Sequence, residues 1–204
     1  TQSPNLIYID HTTADITKIP DTWLTQAKKL DKIHFAHTSH GSQLLTGLGY
    51  WQGVNPTKYK YAISYDPKIL PTGTGILKVY DGNSYKDDNY ITPEMYWASP
   101  DGISHTKMTL NTNKYNFSGW TWCGQMSSNS PETTNIYINK LKNLDNQYPN
   151  VRMIYFTGHT DPSARATLNR NNNRVRDYVI ANGGILYDFN DIESFDPSGR
   201  FYPG

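Results

Sequence analysis

The 204-residue chain lacks several features that would place it in a class at once. It has a single cysteine, Cys123, which excludes an intrachain disulfide and leaves the redox compartment open. No apolar run approaches the ~20 residues that cross a bilayer, so we expect no membrane insertion. Nineteen basic and eighteen acidic residues give a net charge of +1, with no long basic stripe. We therefore expect no nucleic-acid partner.

Lysine and glutamate are also scarce, whereas Asn, Thr, Ser and Tyr are abundant, a composition that suggests an exported surface. The chain starts at Thr1 rather than Met, which is typical of a processed product. Residues 116–118 ("NFS") form a glycosylation sequon. These observations predict an extracellular or cell-surface location.

Four apolar segments are each followed by a polar cluster. They are "KIHFA" before "HTSHGSQ", "FSGWTW" before "CGQMSS", "VRMIYF" before "TGHTD", and "GILYDF" before "NDIE". Helix signals lie between the later segments, with Ser130 as an N-cap, Pro131 as a first helical residue and Gly183 as a left-handed C-cap. Strands that alternate with helices predict an α/β fold with a mostly parallel sheet, in a single domain over residues 1–204.

The region from about 50 to 115 has a different character. It is rich in Gly, Pro, Asp, Asn and Tyr, and it offers only short strand candidates such as "GILKVY". This pattern predicts a long, ordered, loop-rich insertion over the sheet.

The polar clusters predict a site, because ligands of open parallel sheets bind beyond the carboxyl ends of the strands. A serine in a strand-to-helix turn is a candidate nucleophile, which indicates Ser39, while Ser42 is expected to cap the next helix. The candidate catalytic and binding residues along this edge are His37, Ser39, His40, Gln43, Gly124, Gln125, His159, Asp161, Asp188 and Asp191.

Roles follow from the chemistry of these residue types. Backbone N–H groups of Ser39 or Gly124, together with the Gln125 amide, would hold an oxyanion. A histidine, His159 or His40, would be the general base, and a carboxylate such as Asp161 would orient it.

The order of elements resembles the SGNH/GDSL hydrolase superfamily of esterases and lipases. In this chain "HTS" (37–39) stands where that family has its Gly-Asp-Ser block, and "WCGQMS" (122–127) where it has Gly-x-Asn-Asp. The match is nearest to an exported bacterial and archaeal group that shares "HTSHGSQ", "W-x-W-C", "TGH" and "DFxDIE", and it covers the beginning and the last third of the chain.

The resemblance implies a flavodoxin-like three-layer α/β/α fold and a serine esterase or deacetylase. Its partner would be a carbohydrate or other small acyl ester, and no cofactor would be needed. Ser39 would take the nucleophile position, with His159 as the base.

One departure leaves two other hypotheses open. The family's catalytic histidine follows the final strand, whereas no histidine lies beyond His159 in this chain. The first alternative is a non-catalytic surface, binding or assembly protein that kept the fold, with Tyr and Asn in self-assembly contacts. The second is a metal-dependent hydrolase that binds zinc through His37, His40 and His159; "DPSG" or "NDIE" would be calcium-binding candidates.

Overall fold

Seven strands form one all-parallel sheet within residues 5–202, the part of the chain that the computed structural model describes. The strands are β1 (Leu6–Ile9), β2 (Lys32–His37), β3 (Tyr61–Ser64), β4 (Leu77–Asp81), β5 (Phe117–Thr121), β6 (Arg152–Phe156) and β7 (Gly184–Tyr187). Their order in the sheet is β1-β7-β6-β5-β2-β4-β3. Helices flank the sheet, which confirms the predicted α/β class. Counted from β2, the run β4-β2-β5-β6-β7 has the flavodoxin order, with β1 and β3 added at the edges.

Seven α-helices connect these strands within the same described residues. They are α1 (Asp21–Leu30), α2 (Ser42–Val54), α3 (Pro93–Tyr96), α4 (Pro100–Leu110), α5 (Pro131–Gln147), α6 (Arg165–Asn182) and α7 (Phe189–Ser194). The predicted helix signals are confirmed. Ser130 Oγ accepts a hydrogen bond from the Thr133 N–H at 3.2 Å, and Gly183 ends α6 with a φ of 81°.

The chain divides into two compact units. Among the described residues, the first unit comprises residues 5–17 and 119–202, and the second comprises residues 18–118. The core of the first unit is aromatic: Trp120, Trp122 and Tyr137 are fully buried, and Trp122 Nε1 donates to the Phe156 carbonyl at 3.0 Å.

The second unit has a histidine at its centre. His34 on β2 is fully buried, and its Nε2 donates to the Gly82 carbonyl at 2.9 Å. Its Nδ1 lies 2.8 Å from Ser118 Oγ, which in turn lies 2.6 Å from the Tyr96 hydroxyl. Burial lowers the pKa of His34 to about 4, so this ring is neutral and structural.

The region from 50 to 115 has more regular structure than the sequence predicted. It holds β3 and β4, and β4 pairs with β2 in parallel, with Lys32 opposite Lys78. It also holds α3 and α4. Both strands are short and bounded by turn residues, which explains why their pattern is weak. The region therefore supplies part of the sheet and not only loops over it.

The side chains of the sequon at residues 116–118 make internal hydrogen bonds, and Asn116 is only partly exposed. Asn116 Oδ1 accepts a hydrogen bond from the Lys32 N–H at 2.7 Å, and Ser118 is fully buried. Both side chains are thus used to position the start of β5.

Replacing Ser130 by Ala should destabilise the protein by about 1 kcal/mol, because the Thr133 N–H loses its capping partner. Urea unfolding of both proteins measures the difference. Ser104→Ala, at an exposed position inside α4, is the control and should change stability by less than about 0.5 kcal/mol. Equal effects of the two changes would contradict the capping role.

Candidate functional site

Ser39 lies in the turn that joins β2 to α2. Residues Ser39–Gly41 form a 3-10 turn that runs directly into the first residue of α2, Ser42. Ser39 is exposed, and its Oγ lies 3.4 Å from His40 Nδ1. The prediction that Ser42 is an N-cap is wrong, because Ser42 is helical and its hydroxyl donates to the Ser39 carbonyl at 2.6 Å. The backbone of Ser39 is therefore fixed while its side chain faces solvent.

His37, the last residue of β2, fixes the backbone of the same turn. Its Nδ1 donates to the Thr38 carbonyl at 2.8 Å, and the Gly41 N–H donates to the same oxygen at 3.1 Å. The other ring nitrogen, Nε2, lies 3.1 Å from Asp81 Oδ1. Since both ring nitrogens face acceptors, the arrangement favours a doubly protonated imidazolium.

The charge state of His37 follows from two opposing effects. Burial lowers the pKa of His37, but the Asp81 carboxylate and then the Thr38 carbonyl outweigh it, so its pKa is raised. Asp81 is itself 2% exposed, and its Oδ2 accepts from Asn89 Nδ2 at 3.2 Å. The pair is thus a buried ion pair at the end of β2 and β4. Because Nδ1 faces the Thr38 carbonyl and Nε2 faces Asp81, His37 would have to lose a proton and one of these contacts to bind zinc.

Gln43 completes the set of candidates in the second unit. It is the second residue of α2 and is exposed. Four of the predicted site residues, His37, Ser39, His40 and Gln43, are thus held together by one turn. Two of them, Ser39 and Gln43, are exposed to solvent.

In the first unit, His159 and Asp161 follow β6, as predicted, but they do not form the expected pair through Nδ1. His159 Nδ1 donates to the Thr160 carbonyl at 2.6 Å, which makes Nε2 the acceptor nitrogen. Asp161 Oδ1 instead accepts from the N–H of Ser163 at 3.1 Å and from its hydroxyl at 2.6 Å. Asp161 therefore caps the turn over residues 162–164 rather than orienting this nitrogen.

Gly124 and Gln125 begin a short 3-10 helix, Gly124–Ser127, after β5. Gln125 Oε1 accepts from the Cys123 N–H at 2.7 Å, so the side-chain amide is turned back on its own backbone. A Cβ added at Gly124 would have no atom within 4 Å. The glycine is therefore not needed for a close approach.

Asp188, predicted as a binding residue, is engaged by hydrogen bonds from within the chain. It is fully buried, and Arg176 donates to both of its oxygens at 2.7 Å. The Tyr8 hydroxyl and the Thr157 hydroxyl donate to the same carboxylate at 2.7 and 2.9 Å. Burial raises the pKa of Asp188, but these bonds, those from Arg176 above all, outweigh it and lower the pKa.

Asp191 holds a residue that the sequence analysis missed. Its Oδ1 accepts from His11 Nδ1 at 2.6 Å and from the His11 N–H at 2.8 Å. The His11 ring also stacks on Phe195, with centroids 4.8 Å apart. The signal in the sequence was a fifth strand, "LIYI", followed by the polar cluster "DHTT" at residues 10–13.

The two candidate calcium segments are occupied by internal hydrogen bonds. In "DPSG", Asp196 Oδ1 accepts from the Ser198 N–H at 2.9 Å and from the Arg200 N–H at 3.1 Å. In "NDIE", Asp191 is bound to His11, and Glu193 Oε2 accepts from the Thr160 N–H at 2.7 Å. These segments therefore act as turns and braces in the described chain.

Comparison with family models, with curated proteins and with solved structures finds no match to this chain. The helices within residues 5–202 are too short or too polar to span a bilayer.

The ion pair of His37 predicts how stability depends on pH. Because the folded state raises the pKa of His37, the stabilisation is complete below the unfolded pKa of about 6.5 and is lost as pH rises through the folded value. The wild type should therefore lose stability relative to Asp81→Asn as the pH rises from about 6.5 through the raised pKa of the folded His37. Urea unfolding of both proteins across this range measures the difference in stability. The titration of His34 affects both proteins equally and cancels from this difference. A stability advantage of the wild type that grows with pH would contradict this assignment.

Proposed function

We propose that the protein is an exported serine hydrolase of the SGNH type, which cleaves an acyl ester on a carbohydrate with Ser39 as its nucleophile. The observation that carries the proposal is the turn at the end of β2, where an exposed hydroxyl sits beside an imidazole on an anchored backbone. Nucleophilic serines are activated by such a neighbouring base.

The reaction would proceed by acyl transfer. Ser39 Oγ attacks the ester carbon and passes its proton to His40 Nδ1. The bond to the alcohol oxygen then breaks, and that alcohol leaves with the proton from His40. Water hydrolyses the acyl-serine in a second, equivalent step. The 3.4 Å separation is longer than the ~2.6–3.2 Å of an active hydrogen bond, and such contacts commonly tighten when substrate binds.

The anchoring of the turn supports this reading. His37 fixes the Thr38 carbonyl and Ser42 fixes the Ser39 carbonyl, so the peptide on either side of the nucleophile is immobilised. A preorganised backbone lowers the cost of orienting the attacking oxygen. His37 and Asp81 would thus be positioning residues, whereas Ser39 and His40 would touch the substrate.

A non-catalytic binding or assembly protein is the second candidate, and one observation favours it. The segment after β7, where the family has its catalytic Asp-x-x-His, reads Asp188-Phe-Asn-Asp191 here. Both carboxylates are committed to internal partners, Arg176 and His11. Such a segment would support the fold without serving a nucleophile.

Incubation with a fluorophosphonate should add one phosphonyl group to Ser39, since the serine oxygen displaces fluoride at phosphorus. Intact mass and peptide mapping detect the adduct. Ser39→Ala should remove it, whereas Ser198→Ala, an exposed turn serine, should retain it. No adduct on the folded wild type, or an adduct that survives in Ser39→Ala, would contradict the proposal.

Replacing the proposed base should slow the same labelling without preventing folding. His40→Gln removes the imidazole beside Ser39 and should lower the labelling rate by about 100-fold or more, the scale of general-base catalysis. His159→Gln serves as the comparison, because the sequence analysis predicted that histidine as the base. A rate that falls in His159→Gln and is unchanged in His40→Gln would assign the base to His159 instead.

A further inference from the structure

A second polar centre lies within the first unit, beyond the ends of β6 and β7. It is a cavity of about 320 Å³ whose wall includes Asn173, Asn190, Asp191, Phe195 and Phe201. This volume is at the small end of the range for ligand sites, about 300–1,000 Å³. Its position beyond the carboxyl ends of parallel strands is where α/β sheets bind ligands. None of the chemistry proposed for Ser39 uses these residues.

Arg176 also lines the cavity, but its hydrogen bonds make it an orienting residue. Its Nε and Nη2 donate to the buried carboxylate of Asp188, both at 2.7 Å. Nη2 also donates to Asn190 Oδ1 at 3.2 Å, and Nη1 donates to Asn173 Oδ1 at 2.9 Å. These bonds engage four of the five guanidinium N–H groups, and the Asp188 carboxylate balances the charge of Arg176. Most of the donors of Arg176 are therefore already hydrogen-bonded. Arg176 is thus not available to hold an anion, and Arg165 is the other cation on the wall.

The same contacts fix the hydrogen-bonding groups of the wall. Because Arg176 binds the Oδ1 atoms of Asn173 and Asn190, each amide offers its Nδ2 as a donor. His11 binds Asp191 through Oδ1 alone, so Oδ2 keeps its capacity as an acceptor. Two donors and one acceptor are thus held in place by groups behind them, as preorganised sites require.

An apolar surface completes the wall. The Phe195 ring is held between the His11 ring at 4.8 Å and the Phe201 ring at 5.2 Å, measured between centroids. Phe201 is 51% exposed and therefore reachable from solvent. The two amide donors, the carboxylate acceptor and the aromatic rings match a small molecule that carries hydroxyl groups on a partly apolar ring.

We infer that this cavity binds a single neutral sugar ring, with hydroxyl groups on Asn173, Asn190 and Asp191 and a carbon–hydrogen face on Phe201. A hydroxyl group suits this wall because it donates to Asp191 Oδ2 and accepts from either amide. The inference stands apart from the proposed hydrolase activity. It assigns a binding site, whether or not Ser39 is a nucleophile.

The test is a binding titration of the full-length protein, measured by calorimetry or ligand-observed NMR. The ligands are three neutral classes (hexoses, N-acetylhexosamines and pentoses) and one anionic class, the hexuronic acids. A neutral member should bind with a dissociation constant of about 10 mM or lower. Asn173→Ala, at an exposed position on α6, should weaken that binding about tenfold, as the loss of one hydrogen bond would. Asn135→Ala, an exposed asparagine on α5, is the matched control and should bind as the wild type does.

Three results would overturn the inference: no binding by any neutral member, equal binding by Asn173→Ala and wild type, or a preference for the hexuronic acids. Phe201→Ala is a second variant of the wall: its ring is half exposed, so the change should leave the fold intact and should also weaken binding. Sugar binding should persist in Ser39→Ala, and fluorophosphonate labelling of Ser39 should persist in Asn173→Ala. A failure of this inference is therefore distinct from a failure of the proposed function.

Discussion

The buried ion pair between His37 and Asp81 is the interaction on which the Ser39 turn depends. It joins the ends of β2 and β4 and, through the Thr38 carbonyl, fixes the backbone from which Ser39 projects. A buried pair of this kind is costly to break, because removing one partner leaves an uncompensated charge worth about 3–5 kcal/mol. The pair thus turns a polar loop into a rigid support for an exposed hydroxyl.

The first unit uses a second ion pair in a similar way. Asp188 is fully buried and accepts hydrogen bonds from Arg176, Tyr8 and Thr157. Arg176 in turn donates to the side-chain amides of Asn173 and Asn190 and so orients them. In each unit, a buried carboxylate at the end of a strand positions neutral groups, and our proposals assign ligands to those groups. Among the acidic residues named from the sequence, Asp188 thus supports its neighbours, whereas Asp191 is itself a candidate for binding.

What the sequence could predict was set by the range of the interactions involved. Ser130, Gly183 and the apolar strands act locally, so their patterns predicted α5, the end of α6 and the sheet. The pairing of His11 with Asp191 spans 180 positions, and no local pattern carries it. Asp161 was predicted to orient a histidine, but its carboxylate instead accepts hydrogen bonds from Ser163, two residues away. Such a local bond is favoured because it needs little ordering of the chain.

The most direct test of the central claim compares the rate constant for Ser39 phosphonylation in wild type and in Asp81→Asn. This change keeps the size of residue 81 and leaves Ser39 and His40 unaltered, while it removes the negative charge beside His37 and replaces one carboxylate oxygen by an NH2 donor. If the anchored turn activates Ser39, the rate constant should fall about tenfold or more while the near-ultraviolet circular dichroism stays that of the folded protein. An unchanged rate constant in a folded variant would show that the ion pair supports the fold alone.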